Sequence, residues 1–255
     1  MAFTKIIYET ADGVTRMTLN RPEKRNALDA ELVSELKQAI RASGDDPQCR
    51  VVLLTGAGTD FCSGADLAAL EKTAQAGVLD NMEDARNIAE LFLMMRNHPH
   101  PIIAAVHGRA LAGGCGIATA CDIILAAESA QFGYPEVNIG FVPAMVMAIL
   151  RRSISEKAAL ELVVTGETIS AARAHQLGLV HHVYADEKFA AEASAYAARL
   201  ASRSASAITL SKRLLYNMDS MSFEAALQSG VEINAIARMT DDCRRGVERF
   251  LKKKL

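Results

Sequence analysis

Glu136 is the residue that is best suited, by its type and its neighbours, to acid–base chemistry. It follows the aromatic-rich turn Phe132-Gly133-Tyr134-Pro135 and precedes an apolar segment, so we expect its carboxyl group to be partly buried. Burial disfavours the charged form of a carboxyl group, which raises its pKa and suits it to proton transfer. The alternative is a surface acid at the start of a helix, where the helix dipole favours a negative charge.

Two stretches of small residues could supply the hydrogen-bond donors that such chemistry needs. One follows the apolar run from Val51 to Thr55 and contains Ala65, and the other follows the run from Ile102 to Val106 and contains Gly113. Short apolar runs bounded by Gly or Pro are typical of buried strands. A small residue at the start of the next helix leaves a backbone N–H group free to bind an oxyanion. Each loop alone is more often a structural turn, whereas the pair followed by Glu136 favours a site.

The composition of the 255-residue chain argues against several classes of function. Its net charge of −2 gives no reason to expect nucleic acid or an anionic membrane as a partner. The longest uncharged apolar stretch, residues 137–150, is too short to span a bilayer. The five cysteines are scattered and lack the spacing of a metal site, so we expect reduced thiols, a cytoplasmic protein and no bound metal.

The elements that must position these residues are predicted from turn signals and hydrophobic periodicity. Lys5 to Glu9 and Val14 to Leu19 flank Asp12-Gly13, a pattern that is typical of a β-hairpin. A helical period runs from Leu28 to about Ala42, where Ser43 and the residues after it are expected to end the helix. Residues 72–81 are weakly patterned and are predicted to contain a mobile flap over the site.

Helical patterns predominate after Pro143 and continue to the C-terminal end. We therefore predict a β/α core over residues 1–185, followed by a helical C-terminal region over residues 186–255. No low-complexity linker separates the two parts, so we expect them to form one domain unit.

Several segments resemble, in order, the signature blocks of the enoyl-CoA hydratase/isomerase (crotonase) superfamily. They are Asn20 to Leu28, Phe61 to Leu67, Ala105 to Asp122, Gln131 to Gly140 and Thr165 to Ala171. The resemblance implies an α/β fold, a crotonase-like spiral of ββα units with a helical C-terminal trimerisation region. It also implies a homotrimer, often paired into a hexamer.

The same resemblance implies an acyl-CoA thioester as substrate and an enolate as the shared intermediate. By motif, the backbone N–H groups of Ala65 and Gly113 match the family's oxyanion hole, and Glu136 matches its proton-transfer glutamate. Coenzyme A is then part of the substrate, and no separate cofactor is expected.

Further residues match positions that contact the substrate in the family. Ser63, Asp66 and Leu67 match positions lining the bound CoA. Asp66 is alternatively the cap of the following helix, which we favour over a catalytic role. Lys24 and Arg25 fall where the family's first loop meets the adenine and pantetheine portion of CoA, or they form a solvated basic turn.

Gly116 departs from the family pattern. In two-glutamate hydratases, a glutamate that activates the attacking water directly follows the Gly-Gly-Cys block, and here Gly116 follows Cys115. A lone Glu136 suits isomerisation, in which one base removes and returns a proton, and it also occurs in single-glutamate hydratases, where backbone groups or Tyr134 would hold the water. The frequency of hydratases in the family favours hydration of a 2-enoyl-CoA. The alternatives are a 3,2-enoyl-CoA isomerase and a non-catalytic acyl-CoA-binding member.

The acyl group is expected to lie among Leu111, Tyr134, Phe141 and the 72–81 segment. Because Gly116 has no side chain, it would enlarge this pocket for a branched or aromatic acyl group. An RNA-binding member of the superfamily is disfavoured, because neutralising phosphates requires clustered Lys and Arg.

Overall fold

The computed structural model describes residues 3–252, except for the side chain of Leu67. Its strands are β1 (Ile6–Ala11), β2 (Val14–Leu19), β3 (Val51–Gly56), β4 (Ile102–Val106), β5 (Arg109–Leu111), β6 (Ile123–Ala127), β7 (Gln131–Gly133), β8 (Thr168–Ser170) and β9 (His182–Tyr184). The six-stranded main sheet has the order β1-β2-β3-β4-β6-β9. Only the β1–β2 pair of this sheet is antiparallel; the other pairs are parallel. A three-stranded sheet has the order β5-β7-β8.

Helices connect and cover these strands. They are α1 (Ala30–Asp45), α2 (Leu67–Gln75), α3 (Val78–Asn97), α4 (Gly113–Ala120), α5 (Ala144–Ser153), α6 (Glu156–Thr165), α7 (Ala171–Gln176), α8 (Asp186–Ala201), α9 (Ala205–Asn217), α10 (Phe223–Met239) and α11 (Asp241–Lys252). Several begin at a side-chain cap, such as Asp29, whose carboxylate accepts the backbone N–H of Leu32 at 2.8 Å. Within residues 3–252, no helix has the length and apolar character that crossing a bilayer requires.

The core lies between the main sheet and the helices. Strands β3 and β4 consist almost entirely of buried residues, as expected for central strands of a parallel sheet. Helix α4 is buried from Gly114 to Ala120, so it passes through the interior. Helix α8 packs against the main sheet, whereas α9, α10 and α11 pack mainly on one another.

The predicted N-terminal elements agree with the structure in kind and differ in their limits. The hairpin forms around Asp12 and Gly13, both of which have the positive φ values that such a tight turn needs. Helix α1 continues through Ser43 to Asp45, so the predicted end at about Ala42 is wrong. Ser43 is fully buried and its hydroxyl contacts the Ile40 carbonyl, so packing overrides the local stop signal.

The 72–81 segment is largely helical. Helix α2 ends at Gln75 and α3 begins at Val78, so only Ala76 and Gly77 interrupt the helices. The weak periodicity concealed two helix ends, because the side chains there are mostly exposed; Val78 retains 75% of its accessible surface. Its mobility stays a prediction.

Candidate active site

The Ala65 loop is held by a short backbone bridge to Leu28. The Leu28 N–H donates to the Gly64 carbonyl at 2.7 Å, and the Asp66 N–H donates to the Leu28 carbonyl at 2.9 Å. Backbone groups alternate in direction along an extended chain, so the N–H of Ala65 points away from Leu28. This N–H has no hydrogen-bond acceptor within the described part of the chain, and Ala65 is exposed.

The second donor loop ends at Gly113, the first residue of α4. Its N–H belongs to the first turn, which has no intrahelical acceptors, and no other acceptor for it lies among residues 3–252. The preceding residue, Ala112, has φ 48° and ψ −127°, an unusual conformation for a residue with a side chain. Such strain costs on the order of 1–3 kcal/mol and persists where its surroundings hold it. Here the Ala112 N–H donates to the Gly133 carbonyl at 2.9 Å.

The two donor loops are in direct contact. A methyl group added at Gly64 would lie 3.7 Å from the Gly113 nitrogen and 2.9 Å from the Cβ of Ala112. A methyl group at Gly114 would lie 2.3 Å from the Cys62 carbonyl oxygen, which no side chain could tolerate. The glycines at these positions therefore allow the backbones to approach, and the amides of Ala65 and Gly113 lie on neighbouring loops.

Glu136 lies in the short 3₁₀ helix Pro135–Ile139, which follows β7. Its Oε2 atom is buried and has no hydrogen-bond partner among the described residues. Burial raises the pKa of Glu136, and a hydrogen bond from its own backbone opposes the shift in part. The negative charge of Glu136 also contributes to the raised pKa of Cys115, whose main cause is burial. The carboxyl group is thus near α4, the helix that begins at Gly113.

The side chain of Tyr134 lies in the protein interior, against α4. It is fully buried, and its hydroxyl oxygen is 2.6 Å from the hydroxyl oxygen of Thr119. The expectation that Tyr134 lines the acyl pocket or holds a water there is not met, because its side chain has no exposed surface. The ring turns inward because an interior hydroxyl on α4 satisfies its polar end.

The position of Gly116 is closed by two apolar side chains. A methyl group added there would lie 3.2 Å from the Cζ atom of Phe92 and 3.3 Å from a methyl carbon of Val146. Phe92 on α3 and Val146 on α5 are themselves buried. The expectation that Gly116 enlarges the acyl pocket is therefore wrong. Its missing side chain is replaced by the Phe92 ring and Val146.

The remaining predicted substrate contacts fall into different environments. Asp66 caps α2 by accepting the Ala68 N–H at 3.0 Å, which confirms the capping interpretation. Ser63 is half-buried and its N–H donates to the Arg25 carbonyl, while the side chains of Lys24 and Arg25 are exposed. Leu67 begins α2, and its side chain lies outside the described residues. These positions surround the Ala65 loop, and their contacts with CoA stay predictions.

The backbones of Leu111 and Phe141 both pair with the segment that carries Glu136. The half-buried Leu111 ends β5, pairs with Gly133 and donates its N–H to Cys62. Phe141 donates its N–H to the Glu136 carbonyl at 3.0 Å, and its ring is 52% exposed. The contact of either side chain with an acyl group stays a prediction.

Sequence reasoning missed the polar groups that brace the Ala65 loop. The fully buried Asn26 donates from its amide to the carbonyls of Ala57 at 2.9 Å and Asp60 at 2.7 Å. The guanidinium of Arg21 lies 3.0 Å from the Asp66 carboxylate. Both residues lie in the quoted Asn20–Leu28 block, which gave the only sequence signal for them.

Asp60 and Arg109 join the two loops by a bidentate ion pair, with the Arg109 Nε 2.7 Å from Oδ1 and its second nitrogen 3.0 Å from Oδ2. This pair lowers the pKa of Asp60, because the hydrogen-bonded guanidinium favours the charged carboxylate. Within the described residues, no cluster of His, Cys, Asp and Glu has a composition that could hold a metal ion.

Comparison with known proteins agrees with this arrangement. A family model described as enoyl-CoA hydratase/isomerase matches residues 9–255. A Thermus thermophilus protein named as an enoyl-CoA hydratase is 40% identical, over 92% of this chain and 93% of that protein. The 2,3-dehydroadipyl-CoA hydratase of Escherichia coli is 32% identical, over 98% of this chain and 97% of that protein.

Solved structures give the same result. An enoyl-CoA hydratase from Mycobacterium smegmatis superposes with a TM-score of 0.94 at 30% identity and covers 98% of this chain and 97% of its own. Human enoyl-CoA hydratase domain-containing protein 3 superposes with a TM-score of 0.93 at 30% identity, with 98% of both chains covered. The α/β fold with its helical C-terminal region is therefore the crotonase fold, and the chain belongs to the enoyl-CoA hydratase/isomerase family.

Proposed function

We propose that this protein converts an enoyl-CoA thioester through an enolate. The N–H groups of Ala65 and Gly113 bind the thioester oxygen, and Glu136 transfers the proton. The observation that carries the proposal is the buried Oε2 atom of Glu136, which lacks a hydrogen-bond partner among the described residues. Leaving a buried acceptor unpaired costs about 1–3 kcal/mol, so a protein retains one where the group serves another purpose.

The electrostatics around Glu136 support a role in proton transfer. No cation among the described residues contributes to the pKa of Glu136, which is raised by burial. A raised pKa makes a carboxyl group easier to protonate, which suits it to both taking and giving a proton, whereas a salt-bridged carboxylate stays ionised. Backbone amides complement this acid, because they bind a negative oxygen without bringing a charge that would hold Glu136 deprotonated.

Hydration of a 2-enoyl-CoA is the first reaction that we propose. The water oxygen forms a bond to C3, the C2=C3 π bond breaks, and C2 gains a proton. Glu136 accepts a proton from the water and delivers one to C2, so the net change is the addition of one water. The hydratase names of the two sequence relatives support this assignment.

Isomerisation of a 3-enoyl-CoA is the second candidate, and the closed position at Gly116 favours it. A side chain at residue 116 would press on Phe92 and Val146 from its first carbon, so a second carboxylate there would require both to shift. A single acid then removes a proton from C2 and returns one to C4, while the double bond moves from C3=C4 to C2=C3. This reaction needs no bound water.

A panel of thioesters separates the candidates. Short, branched and aromatic 2-enoyl-CoAs should lose their conjugated absorbance if the protein hydrates them, and 3-enoyl-CoAs should gain it if the protein isomerises them. The panel is run beside Glu136→Gln and the exposed-site control Glu128→Gln. Full activity in Glu136→Gln would contradict the proposal. Tight CoA-ester binding without turnover of any panel member would indicate a non-catalytic binding protein instead.

The oxyanion hole is tested at the backbone. Ala65→Pro removes one N–H donor, and losing such a donor typically lowers kcat by about 10²–10³-fold. Steady-state kinetics measure the loss, and circular dichroism checks that the fold remains. Wild-type kcat in a folded Ala65→Pro protein would show that the Ala65 amide does not bind the reacting oxygen.

We also propose that coenzyme A enters only with the substrate, that the protein acts in the cytoplasm, and that it forms a trimer or a dimer of trimers. Free cysteines at all five positions support the reducing compartment. Exposed apolar side chains spaced four residues apart on α10, at Phe223, Leu227 and Val231, support self-association. Light scattering after size exclusion measures the mass, and a monomer would contradict the assembly.

A further inference from the structure

Tyr134 and Thr119 form a buried hydroxyl pair between the two halves of the candidate site. Their oxygens are 2.6 Å apart, and the residues are 0% and 4% exposed. Thr119 lies near the end of α4, the helix whose first residue is Gly113. Tyr134 comes directly before the 3₁₀ helix that contains Glu136. The pair therefore joins the element with the oxyanion amide to the element with the acid.

The direction of the hydrogen bonds follows from the available acceptors. The Thr119 hydroxyl donates to the Cys115 carbonyl within α4 at 2.8 Å. With that proton in the bond to Cys115, the Tyr134 hydroxyl donates to Thr119, and the Cys115 side chain is a further hydrogen-bond neighbour of the tyrosine. Burial raises the pKa of Tyr134 well above its ordinary value, so the hydroxyl keeps the proton that this bond needs.

The backbone transmits the position of Tyr134 to Glu136. Pro135 separates them, and its ring fixes one of the few rotatable backbone angles in between. On the other side of Tyr134, the Gly133 carbonyl accepts the Ala112 N–H at 2.9 Å, one residue before Gly113. The segment before Glu136 is thus attached to both ends of α4, by its backbone near Gly113 and by the tyrosine hydroxyl at Thr119.

We propose that the Tyr134–Thr119 hydroxyl pair positions the Glu136 carboxyl group relative to the Gly113 amide. This inference rests on the proposed function. Both are positioning residues, because Tyr134 has no exposed surface through which it could contact a substrate. Removing the pair frees the acid to move while the CoA-binding surfaces stay in place. A displacement of about 1 Å in a reacting group can lower a rate by about 100-fold.

The test uses Tyr134→Phe and Thr119→Val, which remove one hydroxyl each, and Thr119→Ser, which keeps it. The first two should lower kcat by about 10- to 100-fold with little change in KM, and they should shift the pH profile of kcat. Thr119→Ser should retain wild-type kcat. The control is Tyr216→Phe, which removes the hydroxyl of a half-buried tyrosine, bonded to Asp122 at 2.6 Å. It should lower the melting temperature and leave kcat and its pH profile unchanged.

Three results would overturn the inference. In the first, Tyr134→Phe lowers the melting temperature, as Tyr216→Phe does, and keeps the wild-type kcat and pH profile. In the second, KM rises while kcat stays constant, which would place Tyr134 at the substrate. In the third, kcat falls equally in Thr119→Ser and Thr119→Val.

A protein that turns over no enoyl-CoA would refute the proposed function and still allow the positioning role to be measured. Carbon NMR of labelled glutamate side chains, assigned with Glu136→Gln, reports the titration of the Glu136 carboxyl group. Its apparent pKa should differ between the wild type and Tyr134→Phe and be unchanged in Tyr216→Phe. Identical titration in the wild type and Tyr134→Phe would overturn the inference.

Discussion

Two acidic residues beside α4, Asp122 and Glu136, differ in the hydrogen bonds that their carboxyl groups make. The carboxylate of Asp122, just after the end of α4, accepts hydrogen bonds from the Lys212 ammonium at 2.8 Å, the Tyr216 hydroxyl at 2.6 Å and the Ile102 N–H at 2.6 Å. The buried oxygen of Glu136 has no partner in the described structure. An acid whose oxygens are all bonded stabilises the fold, whereas an acid with a free oxygen remains available to a ligand.

The Asp122 cluster illustrates the structural case. Lys212 on α9 also donates to the carbonyls of Met95 and His100, so one ammonium group ties this helix to the core. Burial lowers the pKa of Lys212, and the Asp122 carboxylate opposes that shift. Among the described residues, both oxygens of Asp122 and the ammonium group of Lys212 have hydrogen-bond partners, so the cluster has a structural role.

Glu136→Gln should give the largest functional effect. Loss of the acid should lower kcat by about 10²–10⁴-fold, because a positioned carboxyl group contributes that much to proton transfer. Stability should rise at neutral pH: the raised pKa means that the folded state disfavours the charge, a cost that grows as pH rises above the unfolded value. Steady-state kinetics and thermal melts at several pH values measure both effects. An inactive variant that is also destabilised would show that Glu136 stabilises the fold, as Asp122 does.

Asp122→Asn should show the reverse pattern. It leaves the buried Lys212 without a carboxylate, and breaking a buried ion pair costs about 3–5 kcal/mol. Urea unfolding measures this loss, while kcat of the folded protein should be unchanged. Asp219→Asn is the control, because Asp219 pairs with Arg152 and Arg96 at a partly exposed site, where such pairs contribute about 0–1 kcal/mol each. Equal losses of unfolding free energy in Asp122→Asn and Asp219→Asn would show that the Asp122 cluster stabilises the fold no more than a partly exposed ion pair does.

Protonation of His98 should lower the stability of the fold at acidic pH. It is buried beside Ser43, and burial lowers its pKa to about 4. The unfolded side chain titrates near 6.5, so stability is complete above that pH and falls by about 3 kcal/mol as pH drops to 4. Chemical unfolding across this range measures the loss, and His98→Gln should remove most of it. An equally steep dependence in the variant would assign the effect to other groups, such as His100 and His181, whose pKa values are also lowered by burial.

The sequence predicts the local features of the candidate site better than the packing around it. The partly buried position of Glu136 and the two donor loops at Ala65 and Gly113 are each predicted from a few consecutive residues, because a turn, a helix start and a backbone amide are local features. The hairpin at Asp12-Gly13 is local in the same sense. The space beside Gly116 is occupied by Phe92, which lies on α3 and is distant in sequence. No local pattern shows which distant side chain will occupy a space left by a missing one.

Gly116→Glu tests whether the packing of Phe92 and Val146 against residue 116 prevents a second carboxylate from supporting hydration. The new side chain would enter a space bounded by Phe92 and Val146, so we expect a loss of stability of about 1–3 kcal/mol and no gain in hydration. Gly116→Ala is the control: its methyl group makes tight contacts at 3.2 and 3.3 Å, and replacing a helical glycine by alanine gains roughly 0.5–1 kcal/mol, so the net change should be small.

Phe92→Ala alone should cost about 3–5 kcal/mol, because it empties a buried site. Combined with Gly116→Glu it should cost less than the sum of the two single losses, because the smaller side chain leaves room for the carboxylate. Thermal melts and the rate of 2-enoyl-CoA hydration are compared in the single and double variants. A stable Gly116→Glu protein with faster hydration would show that Phe92 and Val146 yield readily. Phe92 and Val146 would then occupy the space only because residue 116 is glycine. Packing would not explain why Glu136 is the single acid, and the explanation would have to come from the substrate.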